Sequence, residues 1–133
     1  MYEALLDGNQ EKFEEYIKRN LRESISYYDK KEDFYHGFLL GLLSSLEDYE
    51  ILSNRESGNG RPDILLKPYD EKMPAIILEL KYAERFTQME EKCKEALSQI
   101  DEKGYADGLI NEGYEKILKY GICFCQKSCR VLI

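Results

Sequence analysis

Apolar residues recur at two different spacings along this chain, and the change from one to the other sets its organisation. Between Asn9 and Glu23, Phe13, Tyr16, Ile17 and Leu21 fall at helical spacing, and Asp7-Gly8-Asn9 supplies start signals. Ser24 to Lys31 is a polar, tyrosine-bearing connection. A second helix is expected from about Glu32 to Leu46, with Phe34, Tyr35, Phe38, Leu39, Leu42, Leu43 and Leu46 on one broad apolar face. Gly37, Gly41, Ser44 and Ser45 lie on its other side. Glycine inside a helix costs roughly 1 kcal/mol relative to alanine. That small-residue stripe therefore predicts close packing against another element.

The spacing then shortens to that of strands. Tyr49 to Arg55, Asp63 to Lys67 and Ala75 to Tyr82 read as strands, separated by turns at Glu56 to Gly60 and Pro68 to Pro74. Connections this short predict an antiparallel meander. Helical spacing returns from Phe86 to Lys103, where Phe86, Met89, Cys93, Ala96, Leu97 and Ile100 mark a buried face and Gly104 a stop. A short helix at Ala106 to Tyr114 and strands at Lys116 to Cys125 and Arg130 to Ile133 complete the pattern. The order α-α-β-β-β-α-β-β predicts an α/β fold, with a mixed central sheet of about five strands flanked by helices. One domain over 1–133 is expected, with an N-terminal helix and connection over 1–30 and the core over 31–133.

Composition fits a folded, soluble domain: 43% of the residues are hydrophobic and 34% are charged. No apolar run approaches the roughly 18–20 residues of a membrane span, and Gly41 breaks the longest, Phe38 to Leu43. The N-terminus lacks the basic region and apolar core of a signal peptide, so no membrane partner and a cytoplasmic location are expected. Cys93, Cys123, Cys125 and Cys129 include a C-x-C-x3-C run, but His36 is the only histidine. Zinc normally takes four ligands in paired knuckles, so buried reduced thiols are the better reading. The net charge of −7 counts against plain nucleic-acid binding, which favours basic surfaces. A local basic patch, bound metal or a basic neighbouring domain would have to compensate.

Alternation along the third strand puts Ala75, Ile77, Glu79 and Lys81 on one face, and Ile76, Leu78, Leu80 and Tyr82 on the other. Buried charges need a partner or a metal. Taken alone, Glu79 and Lys81 read as a structural ion pair. The second strand changes that balance, because Gly60-Arg61-Pro62-Asp63 opens it with an acid. A hairpin would bring Asp63 toward Glu79 across about 5 Å, the spacing of neighbouring strands. Two such carboxylates repel, and a hard dication relieves the repulsion. Asp63 by itself could equally be a turn residue.

Together these residues read P-D-(x15)-E-L-K, which resembles the PD-(D/E)XK nuclease superfamily at Pro62-Asp63 and Glu79-Leu80-Lys81. Flanking stretches Phe34 to Leu43, Asn54 to Asp63 and Ala96 to Tyr105 are similar to one branch, the nuclease-like domain that follows an AAA-ATPase-like domain in many bacterial proteins. The resemblance implies a restriction-endonuclease-like core excised from a larger protein. It also implies hydrolysis of phosphodiesters in nucleic acid, DNA first. Asp63 and Glu79 would hold Mg²⁺ or Mn²⁺ with the carbonyl of Leu80, and Lys81 would position the water. Gln99 would sit near the lysine and the phosphate, with Tyr105 as a neighbour. His36 would be an extra metal or substrate contact, or simply a hydrogen-bonded core histidine. Arg61 would contact phosphate and Glu56 would support the acids, unless both are ordinary surface charges; Glu32 is a further candidate acid. The implied partners are nucleic acid and an ATPase-like domain in the full-length chain, and a dimer is possible. Two other readings stand beside this one. The first is a nuclease-fold regulatory or interaction module of an ATPase-containing protein. The second is a structural domain with a Glu79–Lys81 ion pair.

Overall fold

A computed structural model describes residues 1–24, 32–54 and 60–133. Five helices, α1 (Tyr2–Asp7), α2 (Gln10–Glu23), α3 (Glu32–Leu43), α4 (Met89–Glu102) and α5 (Tyr105–Asn111), accompany strands β1 (Tyr49–Ser53), β2 (Ile64–Pro68), β3 (Ala75–Tyr82), β4 (Ile117–Cys125) and β5 (Ser128–Leu132). The strands form a single sheet in the order β1-β2-β3-β4-β5. β1, β2 and β3 are the expected antiparallel meander, and β4 pairs antiparallel with β5. The β3–β4 pair is parallel, so the chain must cross over between them, and α4 with α5 makes that crossing. This is an α/β fold of the restriction-endonuclease-like kind.

Local sequence explains most boundaries. Gly8 ends α1 at φ 74°, a left-handed geometry that favours glycine. Asn9 caps α2 by accepting the Lys12 N–H, and Phe13, Ile17 and Leu21 bury one side of that helix. The β2–β3 connection is closed by an Asp70 turn, whose carboxylate accepts the Lys72 N–H at 2.9 Å and whose carbonyl accepts the Met73 N–H at 3.0 Å. The Tyr49 hydroxyl, donating to the Pro74 carbonyl at 2.6 Å, fixes the end of that connection.

The sheet has two differently built faces. Leu66, Ile76, Leu78, Leu80, Tyr120, Ile122 and Phe124 pack with residues of α1, α2 and α3 in the main core. The Tyr120 hydroxyl reaches through it to the Leu5 carbonyl at 2.7 Å. On the other face Ala75 and Ile77 meet Ile100 and Leu109, while Cys123 and Cys125 meet Met89 and Cys93. Gly121 lies beneath α4: a Cβ there would collide with the Cys93 carbonyl and stand 3.2 Å from the Ala96 Cβ. A side chain at this position would push the helix off the sheet.

Three expectations are corrected. The small-residue side of α3 is not a packing surface at Gly41, Ser44 and Ser45: an added Cβ on Gly41 meets nothing within 4 Å, and the two serines are exposed. The close approach occurs at Gly121 instead. α3 also ends at Leu43 rather than Leu46, although Leu46 is still buried. Phe86 is 57% exposed in a 3-10 turn, Phe86–Gln88, and α4 proper starts at Met89. α1 was not expected at all. All four cysteines are free and buried, and burial pushes the thiols of Cys93 and Cys123 up to about 11 and about 12. Among the described residues no three His, Cys, Asp or Glu side chains gather as a metal-ligand group. None of the described helices is long and apolar enough to cross a membrane.

Candidate active site

The site forms where the β2–β3 ladder ends. The ladder's register pairs Ile64 with Leu78, so the next residue outward on β2, Asp63, comes beside Glu79. There the side chains take over from the main chain. The Asp63 N–H donates to Glu79 Oε1 at 2.8 Å, and the Leu80 N–H donates to Asp63 Oδ2 at 2.8 Å. Each carboxylate is thus held by the other strand's backbone, and each keeps a second oxygen, Oδ1 or Oε2.

Both acids sit in an unfavourable environment for charge. Glu79 is 1% exposed. Burial raises its pKa to about 7, the neighbouring charge of Asp63 adds to the rise, and Lys81 and Lys103 oppose it. Asp63 is also raised by burial; the Leu80 N–H bond and the charges of His36 and Lys81 pull the other way, while Glu32 adds to the rise. Two facing carboxylates that resist ionisation form a donor set suited to a cation, since a dication would remove the repulsion and replace lost hydration.

Lys81 shares the Glu79 face but does not form the structural ion pair. Its Nζ donates to Gln99 Oε1 of α4 at 2.7 Å, and among the described residues no Glu79–Lys81 salt bridge is present. The Tyr105 phenol lies nearby; its pKa is raised by burial and by the charges of Glu79 and Asp63, and lowered by the Gln99 side chain. The Tyr105 hydroxyl donates to the Arg61 carbonyl at 3.0 Å. At Arg61 the recorded bond is therefore made by the main chain.

Asp63, Glu79, Leu80, Lys81, Gln99, His36 and Glu32 line one cleft of about 200 Å³. His36 is buried, with Nε2 bonded to Ser53 Oγ at 2.8 Å. Glu56 lies outside the described residues. Asp33 and Tyr82 also line the cleft and were not singled out from sequence. Asp33 stands three residues before His36 on α3, a spacing that puts both on one side of a helix. Gly121, the β4 partner of Glu79, was missed as well, although it lets α4 lie low enough to bring Gln99 to Lys81.

A crossover-linked mixed sheet with two acids and a lysine at the end of its central hairpin defines a nuclease-like class of fold and site. A sequence model of the PD-(D/E)XK nuclease superfamily matches residues 30–132, most of the chain, and the protein belongs to that superfamily. Nucleases of this superfamily typically use divalent metal ions and act on nucleic acid. No curated protein and no solved structure matched the chain.

Proposed function

We propose that this protein hydrolyses phosphodiester bonds of nucleic acid, DNA first, with Mg²⁺ or Mn²⁺ bound in the Asp63–Glu79 cleft. The observation that carries this reading is the reciprocal fixing of the two carboxylates beside the Lys81–Gln99 pair. Asp63 and Glu79 would hold the metal with the Leu80 carbonyl, and His36 would support them from the same cleft. A bound dication would acidify its water and stabilise charge on the phosphate.

The chain's own residues would do the rest. Backbone N–H groups keep the carboxylates in place without needing either to be protonated. Lys81 has three N–H donors; one is spent on Gln99, and the others can orient the attacking water or meet a phosphate oxygen. Gln99 holds the ammonium in position, and Tyr105 fixes the main chain at Arg61. Arg61 would contact phosphate, and Glu56 would support the acids. Four free thiols suit a reducing compartment such as the cytoplasm.

The experiment has two arms. Thermal stability is followed during Mg²⁺ and Mn²⁺ titration of the wild type and Asp63→Asn; a metal-dependent rise lost in the variant is expected. Cleavage of single-stranded, double-stranded and branched DNA is then compared with Lys81→Ala, which should lose on the order of 10²–10³ in rate, the usual effect of removing one positioned donor. Equal cleavage by both proteins would identify a contaminant and reject the proposal.

The net charge of −7 favours a second reading, a regulatory or interaction module within a longer, ATPase-containing protein. Metal-dependent stabilisation with no cleavage of any of the three DNA forms would select it.

A further inference from the structure

A chain of net charge −7 needs a local device to receive a polyanion, and one side of the acid cleft has the chemistry for it. Lys81 and Gln99 line a second cleft as well, of about 510 Å³, which runs along α4 and adds Lys94, Ser98 and Lys103 to its walls. Three carboxylates share its walls: Glu91 lies 3.7 Å from Lys94, Glu95 lies 3.6 Å from Lys92, and Glu102 has no salt bridge among the described residues. Lys103 differs from Lys94. It is exposed, and among the described residues it has no salt bridge. It follows Gln99 by four residues, just over one helical turn or about 6 Å along the axis, its N–H donating to the Gln99 carbonyl at 3.0 Å, so Gln99 and Lys103 share one side of the helix end in the groove that Lys81 also lines.

We propose that the α4 groove carries the sugar-phosphate backbone beside the scissile bond, with Lys103 as a phosphate-binding residue beyond Lys81. This rests on the nuclease reading above and adds where the substrate leaves the cleft. The simpler role of Lys103, the residue that caps the C-terminus of α4, is to complement the negative end of that helix. That role would affect helix stability and leave the salt dependence of binding unchanged.

The test is fluorescence anisotropy of labelled single- and double-stranded DNA oligonucleotides across a salt series, in Ca²⁺ buffer, together with thermal stability. Lys103→Gln should weaken binding and reduce the slope of log K against log salt by about one, the loss expected for one phosphate contact. Lys103→Arg should keep both, and Lys12→Gln, on α2, should change neither. If the wild type binds and Lys103→Gln matches it in affinity and slope, this inference fails and the nuclease reading stands. A lower melting temperature with an unchanged slope assigns Lys103 to the helix end and also overturns it. Should the wild type bind neither oligonucleotide, both readings fall together.

Discussion

Leu78 and Glu79 are adjacent on β3, point to opposite faces of the sheet and are 0% and 1% exposed. Leu78 enters the main core under the N-terminal helices, where burial of such a side chain contributes about 1.5–3 kcal/mol. Glu79 enters the α4 side, where the same loss of water raises its pKa to about 7. One strand thus stabilises the fold through one face and holds a costly charge on the other. The difference shows that burial at Glu79 is not a packing device. It is a condition the apolar face has to support.

Leu78→Ala should give the largest effect, a loss of about 2–5 kcal/mol from the cavity it leaves, read by urea denaturation. Glu79→Gln should do the opposite at pH 8 without metal. The folded protein holds the Glu79 proton more tightly than the unfolded chain, so its stability should fall as pH rises from about 4.5 to about 7. Below that window both states are protonated and no penalty exists. Above it the full penalty remains, roughly 3 kcal/mol at about 1.4 kcal/mol per pH unit. Glu79→Gln should flatten this profile in EDTA and lose any metal response. A wild-type profile that rises over the same window would break the comparison.

Gly121→Ala tests how α4 closes the costly face. The added methyl meets helix backbone rather than a flexible side-chain end, so a loss of about 1–3 kcal/mol is expected, with reduced cleavage as Gln99 is carried away from Lys81. Gly41→Ala, where the space is open, should instead stabilise by up to about 1 kcal/mol; calorimetry of the two variants compares them directly. Smallest of all, Gln99→Leu should change stability by no more than about 1 kcal/mol while lowering the cleavage rate, because Lys81 loses its 2.7 Å acceptor.

Much of this contrast is legible in the sequence. Alternation over Ala75 to Tyr82 gives both faces of β3 and its true ends, and short connections give the meander. The P-D and E-L-K pieces are local, so the acids and the lysine could be chosen before their distances were known. What could not be read depends on elements far apart in the chain. Gly121 matters only because α4 lies across it, and its glycine looks like any other in a strand. Gly41 drew attention through helix propensity, which says nothing of what stands opposite. α1 has only six residues, too few for a period, and its place comes from tertiary contacts such as Tyr2 hydroxyl to the Leu42 carbonyl at 2.9 Å. Phe86 has the right residue type for a core, but the 3-10 turn sets it outside.

The Asp70 turn lies at the far end of the hairpin from the carboxylates, yet it acts as their ruler. Its length fixes the phase of β3 against β2, and one inserted residue would rotate every β3 side chain to the opposite side. Glu79 would then be offered to the oily layer and Leu78 to the cleft. A remote loop graft of altered length could therefore disable the centre while every residue lining it stayed the same.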